Sequence, residues 1–218
     1  VPADALAGAS DAATVTITSQ ADDTATDSST LTTSANTVYG VTLTPATAAD
    51  SGNPGTDVTY TLTVTNTGNI SDDFTLAAGA TVWTTVIAPT TITDLAPGAT
   101  AEVTVTVSIP GTATGGDTDV ADVTVTSTGD GTVTDSSELT TTASILAGVL
   151  LTPETAANAG YPGATVTYTL TVENTGNAAD TFDVLVESVW TSTPSVAEIT
   201  LDAGATSTFD VAVTIPAV

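Results

Sequence analysis

The stretch Val58-Thr-Tyr-Thr-Leu-Thr-Val64 decides the fold, and it occurs twice. Val166-Thr-Tyr-Thr-Leu-Thr-Val172 repeats it letter for letter, 108 residues later. Apolar and threonine positions alternate with period two, so one face of an extended strand is apolar and the other hydroxylated. β-branched residues and tyrosine favour that pleated, half-buried surface. Val103, Val105, Val107 and Ile109 alternate in the same way, as do Phe209, Val211, Val213 and Ile215. Pro54-Gly55, Pro97-Gly98, Asn66-Thr-Gly68 and Gly129-Asp-Gly131 separate the strands as turns. The spacing predicts strands near 12–19, 29–36, 38–44, 57–66, 72–78, 81–87, 100–109, 120–127, 136–143, 146–152, 164–174, 180–187 and 205–215, with almost no helix.

The repetition extends well beyond the seven-residue core. Residues 11–74 align without gaps onto 119–182, and 40 of the 64 positions are identical. Pro45 falls on Pro153, and Asn66-Thr67-Gly68-Asn69 falls on Asn174-Thr175-Gly176-Asn177. Trp83 pairs with Trp190 after a slip of one residue, and Ile109-Pro110 with Ile215-Pro216. A fixed period of this length marks tandem copies of one structural unit.

The motif Pro-Gly-x-x-Val-Thr-Tyr-Thr-Leu-Thr-Val-x-Asn-Thr-Gly-Asn is followed by an Asp and a Phe, then a Trp, then a strand ending in Ile-Pro. In that order it resembles the immunoglobulin-like repeats of bacterial and archaeal surface proteins, over nearly the whole chain. The resemblance implies an all-β fold of two tandem immunoglobulin-like antiparallel sandwiches, an extracellular or cell-surface location and an architectural role. It brings no catalytic residues. Expected domains are a complete one at 41–148 and an incomplete one at 149–218, preceded by a hairpin segment at 1–40.

The phase of the repeat suggests how such a chain works. The second copy stops short of the last two strands of the unit, while residues 1–40 align with 109–148 and supply an additional hairpin at the other end. An incomplete sandwich exposes strand edges and an open core. The expectation is therefore a homopolymer, each subunit's N-terminal hairpin completing the incomplete sandwich of the next by β-strand addition. Such a head-to-tail contact generates an open filament. Val15, Ile17 and Leu31 of the hairpin, with Phe209, Val211, Val213 and Ile215 of the acceptor, are the expected interface residues. The alternative is a spacer or adhesin stalk segment belonging to a longer repeat array or surface layer.

Composition narrows the chemistry. The 218 residues include 25 acidic side chains and no Lys, Arg, His, Cys or Met, for a formal charge of −25. There is no imidazole base, thiolate, Schiff-base lysine or His/Cys zinc site. There is also no cationic surface for nucleic acid or anionic lipid. No apolar run reaches the ~18 residues of a membrane-spanning helix. Asp50-Ser51-Gly52 matches the aspartic-protease triplet, but the second copy has Asn158-Ala159-Gly160, so no carboxylate pair forms. The chain is expected not to be an enzyme and to need no cofactor.

The densest oxygen cluster, Asp117, Asp119 and Asp122, is the candidate for weak calcium binding. Asn69-Ile70-Ser71 is an N-glycosylation sequon, and the many Thr and Ser hydroxyls are candidates for O-linked sugar. Paired aromatic residues, Tyr60 and Tyr168, Phe74 and Phe182, Trp83 and Trp190, read as core anchors.

Overall fold

A computed structural model describes all residues 1–218. The protein is all-β, with antiparallel sheets in sandwich-like arrangement and no helix. No helix is long and apolar enough to cross a membrane, which says nothing of crossing by strands. Two compact units are formed. One contains Val1–Ala49, Val58–Val107 and Asp119–Thr140; the other contains Asp50–Asp57, Ser108–Thr118 and Thr141–Val218.

The first strands, β1 (Ser10–Thr18) and β2 (Thr26–Ser34), pair only with each other, with Val15 opposite Ser29 and Ala13 opposite Leu31. Every residue of this ribbon is exposed. A two-stranded ribbon with both outer edges unpaired is marginal in water.

Next come β3 (Val41–Thr44), β4 (Thr47–Gly52), β5 (Asp57–Asn66), β6 (Asp72–Ala78) and β7 (Thr84–Ala88). They are followed by β8 (Thr91–Leu95), β9 (Thr100–Ser108), β10 (Thr118–Ser127) and β11 (Thr134–Ala143). A four-stranded sheet has the order β3-β5-β9-β7 and a five-stranded sheet the order β4-β11-β10-β6-β8. Burial follows the period-two pattern: Val58, Tyr60, Leu62 and Val64 are buried while Thr59 and Thr61 are exposed. From the five-stranded sheet Phe74, Leu76, Val123, Val125 and Leu139 are buried as well. The Pro54-Gly55 turn puts Gly55 at φ 81°, and Gly163 of the second copy has φ 83°. That left-handed conformation carries no Cβ penalty at glycine.

The remaining strands are β12 (Val149–Thr152), β13 (Thr165–Asn174), β14 (Asp180–Asp183), β15 (Ser192–Pro194), β16 (Glu198–Leu201) and β17 (Thr206–Thr214). They form a four-stranded sheet, β12-β13-β17-β15, and a two-stranded ribbon, β14-β16. Val172, Leu201, Phe209 and Val211 are its buried cluster, with Leu170, Phe182 and Ile199 packed half-buried against it.

The structure adds strands that the sequence pattern does not predict, β4, β8, β15 and β16. Thr47–Gly52 and Thr91–Leu95 are short and lack strict alternation, so pairing to a neighbour makes them strands. The strand expected over 180–187 is regular only as Asp180–Asp183, where β16 pairs with it.

Candidate functional site: an open strand edge and its filled counterpart

The two copies of the repeat treat the same position in opposite ways. In the first copy, β10 and β11 lie side by side between β6 and β4. Val123 stands opposite Ala78, Val125 opposite Leu76 and Ser127 opposite Phe74. In the second copy β14, counterpart of β6, pairs with β16 alone and its other edge carries no strand. Residues 155–160, counterpart of β4, are exposed and form no strand.

Where β10 and β11 would lie, an apolar cleft of about 430 Å³ opens, lined by Leu151, Leu170, Phe182, Val184, Val186 and Phe209 among others. The burial of equivalent residues records the difference. Leu43 is 2% exposed and its counterpart Leu151 48%; Trp83 is 6% exposed and Trp190 47%. An apolar surface left this open is characteristic of a binding site.

Polar groups fix the first copy's hairpin in its slot. Asp135 accepts a hydrogen bond from Leu43 N at 2.7 Å, and Asp119 accepts from Val82 N at 2.9 Å and Trp83 N at 3.1 Å. Ser137 Oγ donates to Pro45 O at 2.7 Å, and Tyr60 OH donates to Thr140 O at 2.8 Å. Shifted by 108, the hairpin partners in these bonds become Asp27, Asp11, Ser29 and Thr32 of β1–β2, and the partners in the sandwich become Leu151, Pro153 and Tyr168. The Trp83 partner becomes Trp190 after the one-residue slip.

Both hairpins are rooted in the same way. Asn69 Oδ1 accepts from Val38 N at 2.8 Å, and its Nδ2 donates to Ala5 O at 3.2 Å and Asn36 O at 2.9 Å. Asn177 Oδ1 accepts from Leu146 N at 2.7 Å, and its Nδ2 donates to Ser144 O at 2.9 Å. The nitrogen of Asn69 that would receive a sugar is thus engaged in holding the chain below β1–β2. Asn177 does the same work in the second copy without a sequon, which makes the amide's role structural.

The predicted interface residues divide into two groups. Val15, Ile17 and Leu31 are exposed on β1–β2. Phe209 and Val211 are buried and line the cleft, whereas Val213 packs against the cluster and Ile215 is half-buried beyond the end of β17. Strand β17 is flanked on both sides, by β13 and β15, so its residues offer a floor and not an edge. The open edge belongs to β14. Phe182, Val184 and Val186 also line the cleft and are not among the interface residues expected from sequence, although the identity of Phe74 and Phe182 carries a signal.

Two of the three acidic candidates are engaged in backbone contacts. Asp117 Oδ2 accepts from Thr114 N at 2.8 Å within a turn, Asp119 holds Val82 N and Trp83 N, and Asp122 is exposed on β10. No group of three or more acidic residues is arranged to hold a metal ion. The reading of paired aromatics as core anchors needs correcting at Trp190, which is half exposed because no hairpin covers it.

Residues 52–128, from the end of β4 to just past β10, match the family described as the NPCBM-associated, NEW3 domain of alpha-galactosidase. No curated protein matches the chain. Among solved structures, a protein of unknown function from Porphyromonas gingivalis W83 is similar at 16% identity and a TM-score of 0.38, over 80% of this chain and 83% of that one. The secreted serine protease VesC from Vibrio cholerae is similar at 15% identity and a TM-score of 0.33, over 83% of this chain and 46% of that one.

Proposed function

We propose that this chain is a structural subunit of an extracellular fibre. In this reading it consists of two tandem immunoglobulin-like sandwiches, and the second is completed by the β1–β2 hairpin of a neighbouring copy. The observation that carries the proposal is the filled slot of the first copy. There a hairpin of the same sequence pattern supplies Val123, Val125 and Leu139 to the core. The equivalents Val15, Ile17 and Leu31 are exposed, and so is the equivalent cleft beside β14. Donor and acceptor are each unsatisfied in the same chain, and each has the complement of the other.

Backbone pairing along β14 and burial of the hairpin's apolar face would hold such a joint together. Because donor and acceptor are different surfaces, repeated joining gives a filament. Each subunit carries −25 and no basic side chain, so neighbouring subunits repel one another and salt screens that repulsion. The family match is consistent with a non-catalytic module, since its description is of a domain associated with an enzyme. With no His, Cys, Lys or Arg, the chain's own chemistry is confined to carboxylates and hydroxyls.

Electron microscopy and sedimentation of the purified chain test this. Filaments are expected, more abundant at higher ionic strength, and the double variant Val15→Asp/Ile17→Asp is expected to remain monomeric. Filaments of undiminished length from that variant would remove the hairpin as donor. A second reading, a spacer or stalk segment in a longer array, is favoured by the fact that β10–β11 fills its slot from within the same polypeptide. A single monomeric mass at every concentration and salt level would select it.

A further inference from the structure

We infer that the β1–β2 hairpin is keyed to the second cleft and disfavoured in the first, through one contact at the hairpin tip. The inference rests on the assembly reading above and names what selects the joint. In the first copy, the ring of Tyr39 lies over the turn between β10 and β11. A Cβ placed on Gly129 would come within 2.8 Å of Tyr39 Cδ1 and closer still to Cζ and Cε1. The ring and a side chain at position 129 occupy the same space.

The tip is not free to lift away from the ring. The buried carboxylate of Asp72 accepts hydrogen bonds from Ser127 Oγ and from Gly129 N, the latter at 3.1 Å. Ser127 Oγ in turn accepts from Asp130 N at 3.1 Å. The clash therefore has to be relieved by moving Tyr39, which is itself half-buried.

The β1–β2 tip repeats the polar contacts of that turn. Ser19, Asp22 and Thr24 stand where the other hairpin has Ser127, Asp130 and Thr132. Thr24 N and Oγ1 donate to Asp22 Oδ1 at 3.0 and 2.7 Å, and Thr132 N and Oγ1 donate to Asp130 Oδ1 at the same distances. The counterpart of Gly129, however, is Ala21, and the counterpart of Tyr39 is Ala147. Each slot thus has its own matched pair, tyrosine over glycine in the first and alanine with alanine in the second.

The two mismatches are unequal. Putting β1–β2 into the first slot drives the Ala21 methyl into the Tyr39 ring, while its seating beside Ala147 requires only small residues to meet. Asp180, at the place of Asp72, then accepts from Ser19 Oγ and Ala21 N. A clash built against the wrong site is an effective source of selectivity. It matters here because β1–β2 is joined by a few residues to the very unit whose slot it would otherwise occupy. A hairpin captured there would leave β10–β11 displaced and the chain unable to extend.

The test is a set of full-chain variants read by critical concentration for assembly and by thermal unfolding. Ala147→Tyr is expected to raise the critical concentration about tenfold or more, as overpacking one site does. Adding Ala21→Gly is expected to bring it back to within about threefold of the original chain. Unchanged assembly of Ala147→Tyr, or no rescue by Ala21→Gly, overturns the inference. If the original chain itself does not assemble, the assembly reading fails and the tip contact is judged by unfolding alone. Gly129→Ala is then expected to lower the unfolding midpoint, and to lower it less in a Tyr39→Ala background. Equal loss in both backgrounds overturns it without reference to assembly.

Discussion

Leu139 and Leu31 are the same residue of the same repeat, one with no exposed surface and the other 56% exposed. Ser137 and Ser29, Val125 and Ile17, Trp83 and Trp190 are separated in the same way. Closely similar local sequence therefore gives a paired hairpin in both places but not the same burial. Period-two alternation specifies which face of a strand is apolar. It does not specify what covers that face. In the first copy the later hairpin β10–β11 does so, and in the second no strand of residues 149–218 takes that place.

The sharpest way to break that comparison is a charge at one equivalent position in each hairpin. Val125→Asp places a carboxylate in a fully buried site on β10, opposite Leu76, and is expected to cost more than about 4 kcal/mol, enough to unfold the first sandwich at ordinary temperature. Ile17→Asp puts the same charge on an exposed strand and is expected to leave the unfolding midpoint of the monomer within error. Circular dichroism melts of the two variants at low protein concentration decide it. If Ile17→Asp melts as early as Val125→Asp, the two hairpins are equally covered and the comparison collapses.

A milder pair asks where the copies should agree. Asn66 donates through Nδ2 to Ile70 O at 2.8 Å and Leu95 O at 2.7 Å, and Asn174 donates to Ala178 O at 2.8 Å and Leu201 O at 3.0 Å. Both side chains are buried, and each Oδ1 also accepts from the glycine two residues on. Asn→Ala at either position strands two carbonyls and a turn N–H, so each is expected to cost about 1–3 kcal/mol. Chemical denaturation should show similar losses at 66 and 174. A cost at 174 well below that at 66 would mean that the uncovered copy is loose even at its turns.

Much of the fold was legible because the repeat gives two independent readings of one unit. Alternation located β5, β9, β10, β11, β13 and β17 to within a residue or two, and the turns fell where Pro-Gly and Asn-Thr-Gly predict. Strands such as β4 and β15 were missed because pairing creates them. Ala48-Ala49-Asp50-Ser51 has no apolar alternation of its own, and the equivalent residues 156–159 form no strand where no neighbour is present. The apolar positions Val15, Ile17 and Leu31 of β1–β2 are legible from alternation, and all three are exposed. The interface expected at Phe209, Val211, Val213 and Ile215 falls on or just past β17, a strand with two neighbours, because strength of alternation says nothing about sheet order. Gly129 is legible as a turn residue, but its contact with Tyr39 is not, for a related reason: it joins residues 90 positions apart, and its meaning lies in a coupled change at two non-identical sites.

The smallest effect concerns the hairpin tips, where covered and uncovered copies should again coincide. The Thr24 hydroxyl, and after it the Thr24 N–H, hold the Asp22 carboxyl below the ordinary aspartate range, and the Thr132 hydroxyl and N–H do the same to Asp130. A carboxyl lowered in the folded state contributes stability above its unfolded pKa and loses it as pH falls through the folded value. The window therefore lies at the acid end, below the usual carboxylate range. Both aspartates are fully exposed, so solvent screens the contribution and melts above pH 5 should not register it. Carboxyl titration by NMR should place the two below ordinary aspartates, and Thr24→Val and Thr132→Val should each move its neighbour upward by removing the larger of the two donors. Because the cause lies within four residues of turn, covering the strands should not alter it. A rise at Asp22 with none at Asp130 would mean that the slot reaches the tip and takes over from the threonine, extending the difference between the copies to the one place where local sequence alone accounts for the structure.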